Sequence, residues 1–204
     1  TVHYLNIFTK NDDSNSEAWY LLGKSNNILK KFSHAISPLE NAIKLDSNSS
    51  EYNLSLGEAL IGVERLVDAI TPLKWAWELN TENTDILSIL GKAQYSTADY
   101  IGASLSFSQY LTNNDSDIEA FYLGGLAYQH LDNNLKAAEF LGKAVELDKN
   151  DISKKMDYGH SLKLNKNFDL ANEQFDAILN IDRNHNEAKE QKVEVLFAQN
   201  KFEE

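Results

Sequence analysis

The 204-residue chain has no cysteine, two prolines, one methionine and nine glycines. Without cysteine, disulfides, thiolate metal sites and a cysteine nucleophile are all excluded. The same absence suits a cytosolic and an exported protein equally, so it leaves the compartment open. No stretch approaches the roughly 18 apolar residues of a membrane helix, and direct membrane insertion is not expected. The first residues lack the charged-then-apolar pattern of a signal peptide. Residue 1 is Thr rather than Met, so a leader or anchor outside these residues stays open. Positive charge is also short: 19 Lys and Arg face 31 Asp and Glu, a formal net charge of -12. A nucleic-acid binder needs a cationic face to displace counterions, so that class is disfavoured. Anionic membrane surfaces are disfavoured too, and the balance points to neutral or basic partners. What remains is ordinary globular material, with 42% hydrophobic and 25% charged residues. Its Ala, Leu, Lys and Glu favour helix over strand.

The chain repeats itself. Gly23, Gly57, Gly91, Gly125 and Gly159 recur at a spacing of 34, as do Ala35, Ala69, Ala103, Ala137 and Ala171, with no insertion or deletion. A fixed period of this length marks a stacked-repeat architecture. The register gives five units: 16–49, 50–83, 84–117, 118–151 and 152–185. Residues 1–15 correspond to the second half of a preceding unit. Residues 186–204 correspond to the first half of a sixth, a partial repeat or capping helix. Columns are counted from Ser16, Ser50, Thr84, Ile118, Ile152 and Asn186 as column 1.

Within a unit, columns 4, 7, 8 and 11 share one helical face, as with Leu56, Gly57 and Leu60. A second face follows at Phe32, Ala35, Ile36, Leu39, Ala42, Ile43 and Leu45. Small residues at columns 8, 20 and 27 let helix axes approach closely. At the unit junctions Ser14/Glu17, Asn48/Glu51, Ser116/Glu119 and Asn184/Glu187 have the spacing of capping boxes.

The first unit carries Trp19, Leu22, Gly23, Ala35, Leu39 and Ala42; the fourth carries Phe121, Gly125, Tyr128, Ala137, Leu141 and Ala144. On these residues the chain resembles the tetratricopeptide-repeat (TPR) family. The resemblance implies an all-α, right-handed superhelical solenoid of helix-turn-helix repeats with an inner groove, whose members bind other proteins. The family's closing Pro is replaced by Ser47, Thr81, Asp115, Lys149 and Arg183, which predicts looser turns. Pro38 and Pro72 stand instead in column 23, expected near the start of the second helix, with a small local distortion. Lys189 and Lys192 fall on the inward face of the last half-unit and mark a solvated end helix, or one whose next repeat is cut away.

No catalytic constellation is present. Phosphate-loop and nucleophile-elbow motifs are missing, and Gly124-Gly125 falls in packing columns. No cofactor and no metal are expected. His130 and His160 lie on neighbouring first helices, where a two-histidine metal or pH-sensitive contact is weighed against ordinary surface histidines; the latter is preferred. Asn-x-Ser matches at Asn48, Asn53 and Asn114 carry no weight in a chain this rich in Asn and Ser.

In the family, columns 2, 5, 9, 12 and 13 line the concave groove. Here that implies Tyr20, Leu54, Tyr122 and Met156 from column 5, and Lys24, Glu58, Leu126 and His160 from column 9. Tyr95, Lys163 and His130 follow from columns 12 and 13. Column 5 is expected to supply apolar anchors; the competing reading is padding between helices. Column 2 reads Glu17, Glu51, Asp85, Glu119, Ser153 and Glu187, an acidic ladder that could attract a basic peptide; the capping boxes explain Glu17, Glu51, Glu119 and Glu187, and capping is preferred. The family's lysine-asparagine clamp for acidic chaperone tails is not matched, with Tyr20-Lys24 and Leu54-Glu58 in its places. The expectation is a protein-interaction module, a fragment of a larger scaffold. The alternatives are self-assembly through exposed solenoid ends and the regulatory arm of a larger enzyme.

Overall fold

The computed structural model describes residues 1–199, which hold twelve α-helices and no strand. They form two compact units, residues 1–99 and the described residues from 100 onward. The first contains α1 (Val2–Asn11), α2 (Ser16–Ile28), α3 (Phe32–Leu45), α4 (Ser50–Gly62), α5 (Leu66–Leu79) and α6 (Asp85–Ser96). The second contains α7 (Tyr100–Tyr110), α8 (Ile118–His130), α9 (Asn134–Leu147), α10 (Ile152–Leu164), α11 (Phe168–Ile181) and α12 (Asn186–Ala198). Within each unit every helix packs on its successor, and α2 also meets α4, as α8 meets α10 and α10 meets α12. Each unit is therefore a stack of helix pairs, the fold of a helix-turn-helix solenoid.

The invariant column-8 glycine sets how closely each pair packs. A Cβ on Gly23 would stand 2.4 Å from Leu39 Cγ, and one on Gly57 2.6 Å from Leu73. In the second unit a Cβ on Gly125 would stand 2.6 Å from Leu141, and one on Gly159 2.7 Å from Phe175. Carbon contacts are comfortable only near 3.5–4.0 Å, so any side chain at column 8 would push the two helices apart. The facing residues Ala35, Leu39, Ala42, Ala137, Leu141 and Ala144 are all fully buried. Each buried Leu contributes about 1.5–3 kcal/mol. Column 30 departs from the expected core, because Leu45, Leu79 and Leu147 remain 38–46% exposed at the helix C-termini.

The turns follow two rules that repeat with the period. Between paired helices, Lys30, Glu64, Ala98, Asp132 and Lys166 all take positive φ, between 56° and 62°. The residue after each closes the helix by a backbone bond back five positions, such as Lys31 N–H to Asn26 O (2.8 Å) and Asn167 N–H to Leu162 O (2.8 Å). Between units, a carboxylate or carboxamide at the helix end accepts from the backbone two residues on: Asp12 from Ser14, Asp46 from Asn48, Asn80 from Glu82, Asp182 from Asn184. These Asx turns replace the stiffness that the missing Pro would have given.

The caps stand one residue later than the sequence spacing suggests. Asn15 accepts from Ala18 N–H (2.9 Å), Ser49 from Tyr52, Asp117 from Ala120 (3.0 Å) and Asp151 from Lys154 (3.0 Å). Ser14, Asn48 and Ser116 lie outside these helices, so the Ser14/Glu17 type of box does not form. Pro38 and Pro72 sit mid-helix, not near the start, yet α3 and α5 run through them. Pro38 removes the donor for the His34 carbonyl, and the buried Asn26 carboxamide lies 3.4 Å from that oxygen and donates to it.

Candidate partner-binding face

The first helix of each pair buries column 8 and turns the neighbouring columns toward the side its second helix leaves uncovered. In the first unit α2 and α4 carry most of this stripe. Tyr20, expected as an accessible anchor, is only 4% exposed. Its ring stacks on Tyr52 with centroids 4.6 Å apart. The two hydroxyls reach across the repeats to carboxylates, Tyr20 to Glu51 (3.3 Å) and Tyr52 to Glu17 (2.9 Å). Column 5 thus acts as padding here, and the column 2 acids receive tyrosine hydroxyls rather than closing capping boxes. Leu54 is half-buried against the core around Leu60 and Leu73.

Lys24 and Glu58, both column 9, are exposed. The Lys24 ammonium donates to the Tyr20 hydroxyl (2.8 Å) and lies 5.1 Å from the centre of that ring. Crowding by surrounding protein lifts the Glu58 carboxyl above its usual range, against the pull of Lys24. In α6, Tyr95 is half-buried.

In the second unit Tyr122 donates to Asp157 (2.7 Å), and Lys154 lies 5.5 Å from its ring centre. Burial raises the Asp157 carboxyl above its ordinary range, opposed by that hydroxyl and by the charge of His160. Leu126 and Met156 are half-buried; Met156 packs on the core that includes Leu162 and Phe175. His160 is exposed. His130 is exposed as well, its ring stacked on Tyr100 at 3.9 Å. Among the described residues, no group of three or more His, Cys, Asp or Glu is placed to hold a metal ion. No helix among them is long and apolar enough to cross a membrane.

Column 12 has a role that the sequence did not reveal. Asn27 donates to Ser55 O (2.8 Å) and Gln129 to Asp157 O (2.9 Å), the same tie to the next first helix in each unit. Lys163, expected in the groove as a contact, instead bonds Gln191 and Glu194 on α12. Polar residues one helix apart at fixed columns were the only available signal, and they read equally well as surface. Column 9 is what stays open: Lys24, Glu58 and His160 are exposed, Leu126 is half-buried, and Glu194, overlooked in the sequence, is exposed on α12.

A family model for the tetratricopeptide repeat matches residues 16–49 and 118–151. No curated protein matches the chain. Among solved structures, YrrB, described as a TPR protein with an unusual peptide-binding site, is 17% identical at a TM-score of 0.78, over 94% of this chain and 99% of that one. MamA from Desulfovibrio magneticus RS-1 is 20% identical at 0.67, over 83% and 96%. A tetratricopeptide repeat protein from Parabacteroides merdae ATCC 43184 is 18% identical at 0.64, over 91% and 74%. Two repeats match the tetratricopeptide model in sequence, and the chain shares the fold of solved tetratricopeptide-repeat proteins over most of its length.

Proposed function

We propose that the chain is a protein-interaction module that receives a segment of another protein along the first-helix stripe of each compact unit, without catalysing a reaction. One observation carries the reading: column 9 stays accessible on α2, α4, α10 and α12, one position after a glycine that packing requires on the first three. Exposed side chains on a rigid scaffold suit recognition. In the first unit Lys24 and Glu58 are the contacts, with Leu54 and Tyr95 at their margins; in the second Leu126 and His160 are the contacts, with Tyr122, Met156 and His130 at theirs. Tyr20 and Lys163 support the stripe rather than touch the partner. The mixed charges of column 9, on a chain of net charge -12, favour a neutral or basic segment with apolar anchors. The naming of YrrB as a peptide-binding TPR protein is consistent with this use of the fold.

The experiment is a binding isotherm with an identified partner for the Lys24→Ala, Glu58→Ala, Leu126→Ala and His160→Ala combination. Binding should fall at least about tenfold, the effect of about 1.4 kcal/mol, with an unchanged thermal melt. Equal affinity in a folded variant would sink the assignment. A second reading, self-association, is favoured by Tyr4, Ile7 and Phe8 of α1, which are 46–77% exposed. Light scattering over a concentration series tests it, and a monomer throughout would contradict it.

A further inference from the structure

Column 5 holds a tyrosine in each compact unit, and the two have closely similar surroundings. In the first unit the Tyr20 hydroxyl donates to Glu51 on the next first helix (3.3 Å), and the Tyr52 ring stacks on it. In the second the Tyr122 hydroxyl donates to Asp157 on the next first helix (2.7 Å). Lys154, in the column of Tyr52, lies 5.5 Å from the Tyr122 ring centre. The two places differ at column 9, one helical turn after each tyrosine. Lys24 there donates its ammonium to the Tyr20 hydroxyl (2.8 Å). That bond, with the pull of Glu51 and Glu17, lifts the ammonium above its usual range. The counterpart of Lys24 is Leu126, which brings no charge.

Asp157 is therefore left without a counter-ion. It is half-buried, its carboxylate accepts from Tyr122, and among the described residues it forms no ion pair. The lysines on its own helix are engaged elsewhere on the stripe side: Lys154 with Asp148 and Asp151, and Lys163 with Gln191 and Glu194. Burial lifts the Asp157 carboxyl; Glu187 and Asp151 push the same way, and only the Tyr122 hydroxyl and the charge of His160 oppose them. A carboxylate drawn partly out of water and left unpaired is unfavourable.

We propose that the stripe of the second unit seats a basic side chain of the partner on Asp157, beside Tyr122 and Leu126. Lys24 of the first unit is the chain's own instance of the contact, a primary ammonium at a column 5 tyrosine whose hydroxyl is bonded to a carboxylate. An incoming lysine or arginine supplies the charge that Leu126 lacks, and half-buried Leu126 gives an apolar surface to its methylenes. The inference rests on the stripe as the face that receives a partner, and it adds the chemistry of one anchor.

The probe is Nα-acetyl-lysine methylamide, titrated at pH 7 and low salt into the whole chain labelled with nitrogen-15 and followed by amide NMR. Nα,Nε-diacetyl-lysine methylamide, neutral at its tip, is the comparison. The lysine compound should shift the amides of Tyr122, Leu126 and Asp157 saturably, and the diacetyl compound should not. Asp157→Asn should weaken the lysine compound at least about fivefold. Leu126→Lys should weaken it as much, by filling the seat from within as Lys24 does. Glu82→Gln, at an exposed acid in a turn of the first unit, should leave it unchanged. The proposal is overturned by no saturable shift at these residues, by equal binding of the diacetyl compound, or by binding that survives both Asp157→Asn and Leu126→Lys. The partner isotherm separates the seat from the stripe. Loss of binding in the combined column 9 variant, with none in Asp157→Asn, sinks the seat and keeps the stripe; equal affinity in the combined variant sinks the stripe and the seat with it.

Discussion

Replacing Gly23 by Ala tests the packing that fixes the helix pairs. Two effects oppose each other. Ala is a better helix former than Gly by about 1 kcal/mol, and Gly23 lies inside α2 with no positive φ to demand glycine. Against this, the new methyl would sit 2.4 Å from Leu39 Cγ, 2.7 Å from its Cδ2 and 3.2 Å from the Ala35 carbonyl. Leu39 is fully buried between Ala35 and Ala42 and has nowhere to turn. Overpacking of this kind costs about 1–3 kcal/mol, and a gap more than 1 Å too short belongs at the upper end. The net expectation is a loss of about 1–2 kcal/mol. Leu39→Ala alone should cost about 2–5 kcal/mol through its cavity. In that background the Leu39 clash is gone and only the 3.2 Å approach to the Ala35 carbonyl remains, so Gly23→Ala should become neutral or stabilising by up to about 1 kcal/mol. Urea unfolding followed by circular dichroism on the four members of the cycle reads the coupling, about 1–3 kcal/mol. Gly142→Ala is the control, since its methyl would meet only the ring tip of half-buried Tyr158 at 3.1–3.2 Å; it should be neutral or stabilising. A stabilised Gly23→Ala protein with intact Leu39 would refute the reasoning.

Three further outcomes follow from the turns and the buried carboxylate. Lys30→Gly and Ala98→Gly should each stabilise by about 0.5–1 kcal/mol, the left-handed penalty less the entropy of glycine; an unchanged urea midpoint for both would contradict it. Asp117→Ala should cost about 1–2 kcal/mol by removing the α8 cap, whereas Ser116→Ala should stay within about 0.5 kcal/mol; thermal melts of the pair decide which residue caps. The folded pKa of Asp157 is raised, so the folded state holds its proton more tightly and this group's contribution to stability falls as pH rises from the unfolded value through the folded one. Asp157→Asn, which can still accept from Tyr122, should therefore gain stability relative to the parent at pH 7 and lose that advantage near pH 3. Urea midpoints that shift equally at both pH values would contradict the assignment.

The period made the helix pairs legible because glycine at column 8 and alanine at column 20 have one physical cause, close helix approach, and it recurs in every pair. The positive-φ turn was illegible because Lys30, Glu64, Ala98, Asp132 and Lys166 share no chemistry; only the chain geometry demands that conformation. The caps were misplaced by one residue because Ser14-Asn15 and Ser116-Asp117 each offer two capping side chains in sequence. Sequence leaves Tyr20 open between anchor and padding because column 5 borders the groove; a flat ring beside Tyr52 gains more from stacking than from water. Column 9 was visible only as a mixture of Lys, Glu, Leu and His, which as sequence looks like any solvated face. Its accessibility beside an obligatory glycine emerges only once the helices are packed.

The most direct test of the interaction face uses a photo-crosslinking amino acid placed singly at Glu58, Leu126, Val67 or Leu135, in the presence of an identified partner. Val67 and Leu135, on the second helices, are 71% and 66% exposed and equally able to react. Crosslinks from Glu58 and Leu126, with none from Val67 and Leu135, are the predicted result. Crosslinks confined to Val67 and Leu135 would contradict the stripe.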